Sequence, residues 1–164
     1  MKPAPNKQIR RVIITADIHG YYSAWQKIKT AVEPQDALII AGDLFGNRYP
    51  DYNNPDFRPE DIRAEIGDIP LLYYVYGNCD IPQFCPGYAY EESFSALGKK
   101  WFIHHGDKLF ATDADIIVTG HTHIAEIRQE SGRYFLNSGS PAKPRTGKPS
   151  YIIYTDKPKL ALLP

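Results

Sequence analysis

Apolar positions along the first half of the chain switch between two patterns, continuous short runs and a helical repeat. Val12, Ile13 and Ile14 form an unbroken run inside 8–16, which suits a strand buried on both faces. Ala24, Trp25, Ile28, Ala31 and Val32 then recur at helical spacing, with Ser23 as the expected N-cap and Pro34 beyond the end. Leu38-Ile39-Ile40 predicts a second strand over 36–41, Pro59 opens a short helix that runs through Ile66 with Gly67 as its stop, and 69–76 predicts a third strand. Repeated strand-helix-strand alternation argues for a parallel α/β sheet. Residues 1–8 read as a frayed end. Residues 44–57, rich in Asn, Asp, Pro, Tyr and Arg, read as a long surface loop of the kind that carries function.

The second half is patterned differently. Residues 88–96 fit helix or strand, with strand preferred. Strands are expected over 100–104 and at Ile116-Ile117-Val118. Hairpins are expected across Ser131-Gly132 and across Asp156-Lys157-Pro158. This half should be mostly antiparallel. The expectation for 1–164 is one domain, with two sheets face to face and helices outside at least one of them.

Composition narrows the function classes. The 164 residues are 43% apolar and 23% charged, with 19 basic and 19 acidic side chains. A neutral chain gives no general electrostatic case for nucleic acid or an anionic membrane, but leaves room for a small phosphorylated substrate. No apolar stretch has the length of a membrane span or a signal peptide, so a cytoplasmic protein is expected. Cys79 and Cys85 are too few for a disulfide framework and are expected as reduced thiols.

The polar turns carry the chemistry. Each apolar run ends in one: Asp17-x-His19, Gly42-Asp43, Gly77-Asn78-x-Asp80, His105-Gly106 and Gly120-His121-x-His123. If Ile116-Ile117-Val118 is a strand, alternation puts His121 and His123 on one face at its end. As candidate ligands the turns supply two carboxylates, Asp17 and Asp43, one amide oxygen and four of the chain's five imidazoles, with His104 beside His105. Such donors suit Mn, Fe, Zn or Ni better than Ca. Seven protein ligands are too many for one catalytic ion that keeps an open position. They suit two ions about 3.5–4 Å apart sharing a bridging carboxylate.

In order, the blocks DIHG, GD, GNCD, HHGD and GHTH, followed by Asn137-Ser138-Gly139-Ser140-Pro141, resemble the calcineurin-like metallophosphoesterases, in particular their small bacterial and archaeal phosphodiesterase subgroup. The resemblance implies a four-layer α/β/β/α sandwich of two facing mixed sheets. It implies that Asp17, His19 and His123 hold one ion, that Asn78, His105 and His121 hold the other, and that Asp43 bridges them. The ions would be two divalent metals, manganese foremost, with iron, zinc or nickel as alternatives. The implied reaction is phosphodiester hydrolysis by a metal-bridging hydroxide attacking phosphorus in line.

Three positions depart from the family pattern. Cys79 stands where the larger family has a histidine, Asp107 where the subgroup has a second one, and Ser138 where it has proline. Cys79 is expected at the substrate as a candidate proton donor, Asp80 as an orienting residue, and Asp107 as a surface or supporting carboxylate. Arg48 is a candidate phosphate contact, ahead of Lys143 and Arg145. The alternatives are a phosphomonoesterase acting on small phosphates and a protein-binding scaffold like the retromer subunit of this family. The complete ligand set argues against the scaffold. The natural substrate and the oligomeric state are not written in the sequence.

Overall fold

The structure, a computed structural model, describes residues 8–164. The frayed end expected over 1–8 lies outside the described residues, apart from the exposed Gln8.

The first sheet is built from β1 (Arg11–Thr15), β2 (Asp36–Ala41) and β3 (Leu72–Val75), with β9 (Ser150–Tyr154) and β10 (Pro158–Leu162) added at one side. Its order is β10-β9-β1-β2-β3. β1, β2 and β3 are parallel, as the strand-helix-strand alternation requires, and β9 runs antiparallel to β1. Every residue of β2 is buried. Ile13, Leu38 and Ile40 face α1 (Tyr22–Ala31) and α2 (Pro59–Glu65), packing on Trp25, Ile28 and Ile62. Val12, Ile14 and Ile39 face the second sheet. A strand clothed on both sides has no polar face, which is why these runs do not alternate in sequence.

α1 begins two residues earlier in the chain than its composition suggests: its N-cap is Tyr21, not Ser23, and Tyr21 makes no side-chain capping bond. Ser23 lies in the first turn, where its N–H and hydroxyl both donate to the Asp56 carboxylate, at 2.8 and 2.6 Å. The long loop thus supplies the acceptor that the free amides of a helix start require.

The second sheet has the order β4-β5-β6-β8-β7. Its strands are β4 (Glu91–Ala96), β5 (Lys99–His104), β6 (Ile116–Thr119), β7 (Ala125–Glu130) and β8 (Arg133–Ser138). The β4–β5 and β7–β8 hairpins are antiparallel, but β6 runs parallel to both β5 and β8, so this half is less antiparallel than its turns imply. The connection across 105–115 carries the chain back to the start of the sheet before β6. An apolar run does not encode its own direction.

Trp101, Ile103, Val118 and Leu136 meet the first sheet in a shared core. On the opposite side, Phe102 and Ile117 pack with Phe110, Ala114 and Phe135. The 105–115 segment is the cover there; among the described residues, both α-helices lie on the first sheet. Arg133 Nε and Nη2 donate to the carbonyls of Ala114 and Thr112, both at 2.8 Å, which holds the segment extended along β8. Among the described residues, no helix is long and apolar enough to cross a membrane.

Candidate metal centre

The carboxyl ends of β1, β2, β3, β5 and β6 open onto one crevice between the sheets, where parallel sheets place their ligands. Asp17 follows β1, Asp43 follows β2, Asn78 follows β3, His105 follows β5, and His121 and His123 follow β6. β6 ends at Thr119, so strand alternation does not align the two last histidines. They converge through backbone bends instead, with φ of 72° at His121 and 59° at His123.

Left-handed backbone is concentrated here. Asp17, His19 and Asp43, at φ of 58°, 54° and 53°, join the two histidines, so five of the seven non-glycine residues with positive φ among the described residues belong to this crevice. Each such residue costs of order 1–3 kcal/mol and persists only where its surroundings fix it. The turns also lack room. A Cβ on Gly77 would stand 2.1 Å from Asp43 Oδ1, and one on Gly42 would stand 2.3 Å from His105 Nδ1.

All seven expected ligands come together. Asp17 Oδ1 lies 3.4 Å from His123 Nε2 and 3.6 Å from His19 Nε2. The two imidazole nitrogens are 3.1 Å apart. Asp43 Oδ2 lies 3.2 Å from His105 Nε2 and 3.8 Å from His19 Nε2, so it stands between two groups. Asn78 Oδ1 lies 2.9 Å from His105 Nε2 and 3.1 Å from His121 Nδ1.

Two features of this arrangement fit a cation. First, His19, His105 and His123 each direct Nδ1 at a backbone carbonyl: Gly46 at 2.8 Å, Ala41 at 2.8 Å and Lys143 at 2.7 Å. A carbonyl only accepts, so Nδ1 carries a proton, and each ring in its neutral form turns the Nε2 lone pair inward. Second, Asp17 is fully buried, and its Oδ1 has no hydrogen-bond partner, while Oδ2 accepts the His121 N–H at 2.9 Å. A buried carboxylate oxygen without a partner is costly unless a cation answers it. Asp17, His19 and His123 offer ligand atoms within 4.8 Å of one another, as do Asp17, Asp43 and His105.

Similarity to known proteins extends over most of the chain. The profile of the calcineurin-like phosphoesterase superfamily domain matches residues 11–158. The chain belongs to the calcineurin-like phosphoesterase superfamily. That family is one of phosphoric ester hydrolases that bind divalent metals, and the crevice supplies this phosphoesterase with the corresponding donors. It is 24% identical to the phosphodiesterase YfcE of Escherichia coli K12, over 93% of this chain and 91% of that one. The solved YfcE structure matches the fold with a TM-score of 0.72 at 23% identity, over 89% of this chain and 88% of that one. A Mycoplasma pneumoniae protein described as a probable metallophosphoesterase is 26% identical over 86% of each chain. Vps29 of Entamoeba histolytica, solved with zinc, shares the fold with a TM-score of 0.62 at 20% identity, over 92% of this chain and 89% of that one.

Proton affinities in the phosphoesterase follow from the same contacts. Burial alone would raise Asp17, but the neighbouring His123 and His19 imidazoles hold it at about 2. Burial opposes the charged form of His105, yet Asp43 lifts it to about 9. The nearby Asp17 carboxylate raises His123 as well.

The remaining candidates separate cleanly. Cys79 is half-buried, donates its N–H to Asp43 Oδ1 at 2.8 Å, and places its sulfur within reach of His19 and Asp43. Burial and the Asp43 charge push its thiol up to about 11. Arg48 is exposed, stacks over Tyr49 at 5.7 Å, and makes no hydrogen bond or ion pair to the crevice. Asp107 is exposed, and His104 turns to the other face of the sheet beside Phe102 and Phe110. Asp80 is buried and orients the turns, as expected: its carboxylate accepts the N–H groups of Asp43 at 2.7 Å, Gly77 at 2.9 Å and Phe45 at 3.1 Å.

Several supporting contacts have no counterpart among the sequence expectations. Asn137 Nδ2 donates to Gly120 O at 2.9 Å and Thr122 Oγ1 at 3.1 Å, bracing the GHTH turn. Ser140 Oγ donates to Asp17 O at 2.7 Å. Both residues stand in the NSGSP segment, whose family likeness was the available signal. Lys143 contributes its carbonyl to His123, while its ammonium lies over the Tyr21 ring.

Proposed function

We propose that this phosphoesterase hydrolyses phosphodiesters with two divalent ions in the crevice. Asp17, His19 and His123 hold one, Asn78, His105 and His121 the other, and Asp43 lies between them. Manganese is the first choice of metal, with iron, zinc or nickel as alternatives. The observation that carries this reading is the orientation of three imidazoles by carbonyls at Nδ1 around the unpartnered Asp17 Oδ1.

Divalent ions there would lower the pKa of water and offset charge on the phosphoryl oxygens. The chain supplies the geometry. Asp43 Oδ1 is pinned by the Cys79 N–H, which leaves Oδ2 facing both groups. Asn78 Oδ1 stands against both His105 and His121, which supports assigning the three to one ion. Water attacks phosphorus in line with the leaving oxygen. The Cys79 thiol, grouped with Asp43 and His19, would deliver a proton to that oxygen. The diester preference is supported by the name of the E. coli relative and by the lack, among the described residues, of a cationic side chain bonded to the crevice for a second phosphate charge.

The test is hydrolysis by metal-reconstituted protein, manganese against zinc, nickel and iron, on an aryl phosphodiester and the matching monoester. Faster turnover of the diester is expected. Comparable rates would overturn the diester preference, and no hydrolysis with any metal would favour a scaffold. A Cys79→Ala protein of undiminished rate would remove the thiol from the reaction.

A further inference from the structure

We propose that the cavity between the 44–59 loop and the 79–84 turn binds a flat, uncharged ring carried on one arm of the phosphodiester. This rests on the reading above and names the substrate class for the same site. The cavity is about 210 Å³, and its walls are Phe45, Tyr52, Phe57, Ile81, Phe84 and Cys79. Tyr52 meets Phe57 edge to face at 5.7 Å, and Phe45 meets Phe84 in the same manner at 5.1 Å, so an aromatic pair stands on either side.

Three observations select the occupant. Cys79 lines this cavity and also stands with His19 and Asp43 in the ligand cluster, so one side chain separates the ring walls from the ions' donors. A phosphorus held over the crevice therefore has an ester arm within reach of the aromatic walls. The volume is below the roughly 300–1,000 Å³ of sites that enclose a whole drug-sized ligand, so it fits one group rather than a complete molecule. The lining holds no cationic residue, and its one charged member is Glu60. A second phosphate would meet an anion there, whereas a ring finds apolar faces and edges. Asn47 and Glu60 are the polar groups available to the edge of a base.

Cys79 also provides a readout independent of turnover, because it is half-exposed while Cys85 is buried. Metal-free protein is alkylated with iodoacetamide in the presence of methyl phenyl phosphate, thymidine 5′-(methyl phosphate) or dimethyl phosphate. Cys79 modification is followed by mass spectrometry against Cys85. The two ring esters are expected to slow Cys79 alkylation about tenfold where dimethyl phosphate does not, and the stronger of the two identifies the ring as simple aryl or nucleobase. Tyr52→Ala and Ile81→Ala remove walls that are 80% and 65% exposed, so the core is untouched. Each should raise the ring-ester concentration needed for protection about tenfold, the size of one apolar or aromatic side-chain contact, and raise KM more than it lowers kcat in manganese-loaded protein. Equal alkylation with all three esters, or protection indifferent to both substitutions, would overturn the ring site. Retained protection without hydrolysis of any ester would overturn the reaction assigned above while supporting the ring site.

Discussion

Asp80 shows how much of a metal-type crevice is held by residues that touch no ion. Its carboxylate gathers the amides of the Asp43 and Asn78 turns, and burial raises its pKa above the usual carboxylate value. Asp80→Ala would leave several buried N–H groups without an acceptor, each costing about 1–3 kcal/mol. A loss of about 3 kcal/mol or more is expected in urea unfolding. Asn137→Ala should act more locally. It frees Gly120 O and Thr122 Oγ1, loosens the turn bearing His121 and His123, and weakens metal affinity about 10–100-fold in a competitive chelator titration. The donors themselves were legible in the sequence because Asp, Asn and His declare their chemistry by side chain. The groups that aim them, Ala41, Gly46 and Lys143, act through backbone carbonyls that every residue has, and no sequence pattern marks them.

At the level of elements, the apolar runs located the strands, since a run buried on both faces is visible without a partner. Direction and capping were not visible, because both depend on distant segments: β6 is parallel to β5, and α1 borrows Asp56 from the long loop. Asp56→Ala should therefore cost about 1 kcal/mol, as loss of a helix cap does, in a chemical denaturation curve. α1 and α2 are tied by Glu65, which accepts from the Tyr22 hydroxyl, Trp25 Nε1, Gln26 Nε2 and Lys29 Nζ. Led by the Tyr22 bond, these hold Glu65 at about 2 against an ordinary 4.5. A depressed carboxylate stabilises the fold in full above its unfolded pKa. That contribution fades as pH falls from about 4.5 through about 2. Denaturation midpoints taken across this window should fall less steeply for Glu65→Gln than for the parent protein. The effect is reduced by solvent screening at this partly exposed side chain.

At the level of the whole molecule, the two sheets share a core that contains none of the seven donors, which sit in turns at its rim. Metal-free protein should keep its secondary structure by circular dichroism. Divalent metal at a hundred times its dissociation constant should add about 2.7 kcal/mol, seen as a higher melting midpoint that a chelator reverses. An unchanged midpoint would mean that the crevice takes up no ion in the folded state.

The long loop after β2 has a double attachment. Gly46 fixes the tilt of the His19 ring through its carbonyl, and a Cβ there would fall 1.7 Å from the Cys79 carbonyl, while neighbouring Phe45, Tyr52 and Phe57 form the aromatic walls. On the reading proposed above, selectivity and ion retention share a single stretch of main chain. Transplanting this loop from a relative would import both properties together, and evolution of a new substrate range along it is constrained to preserve one carbonyl in place.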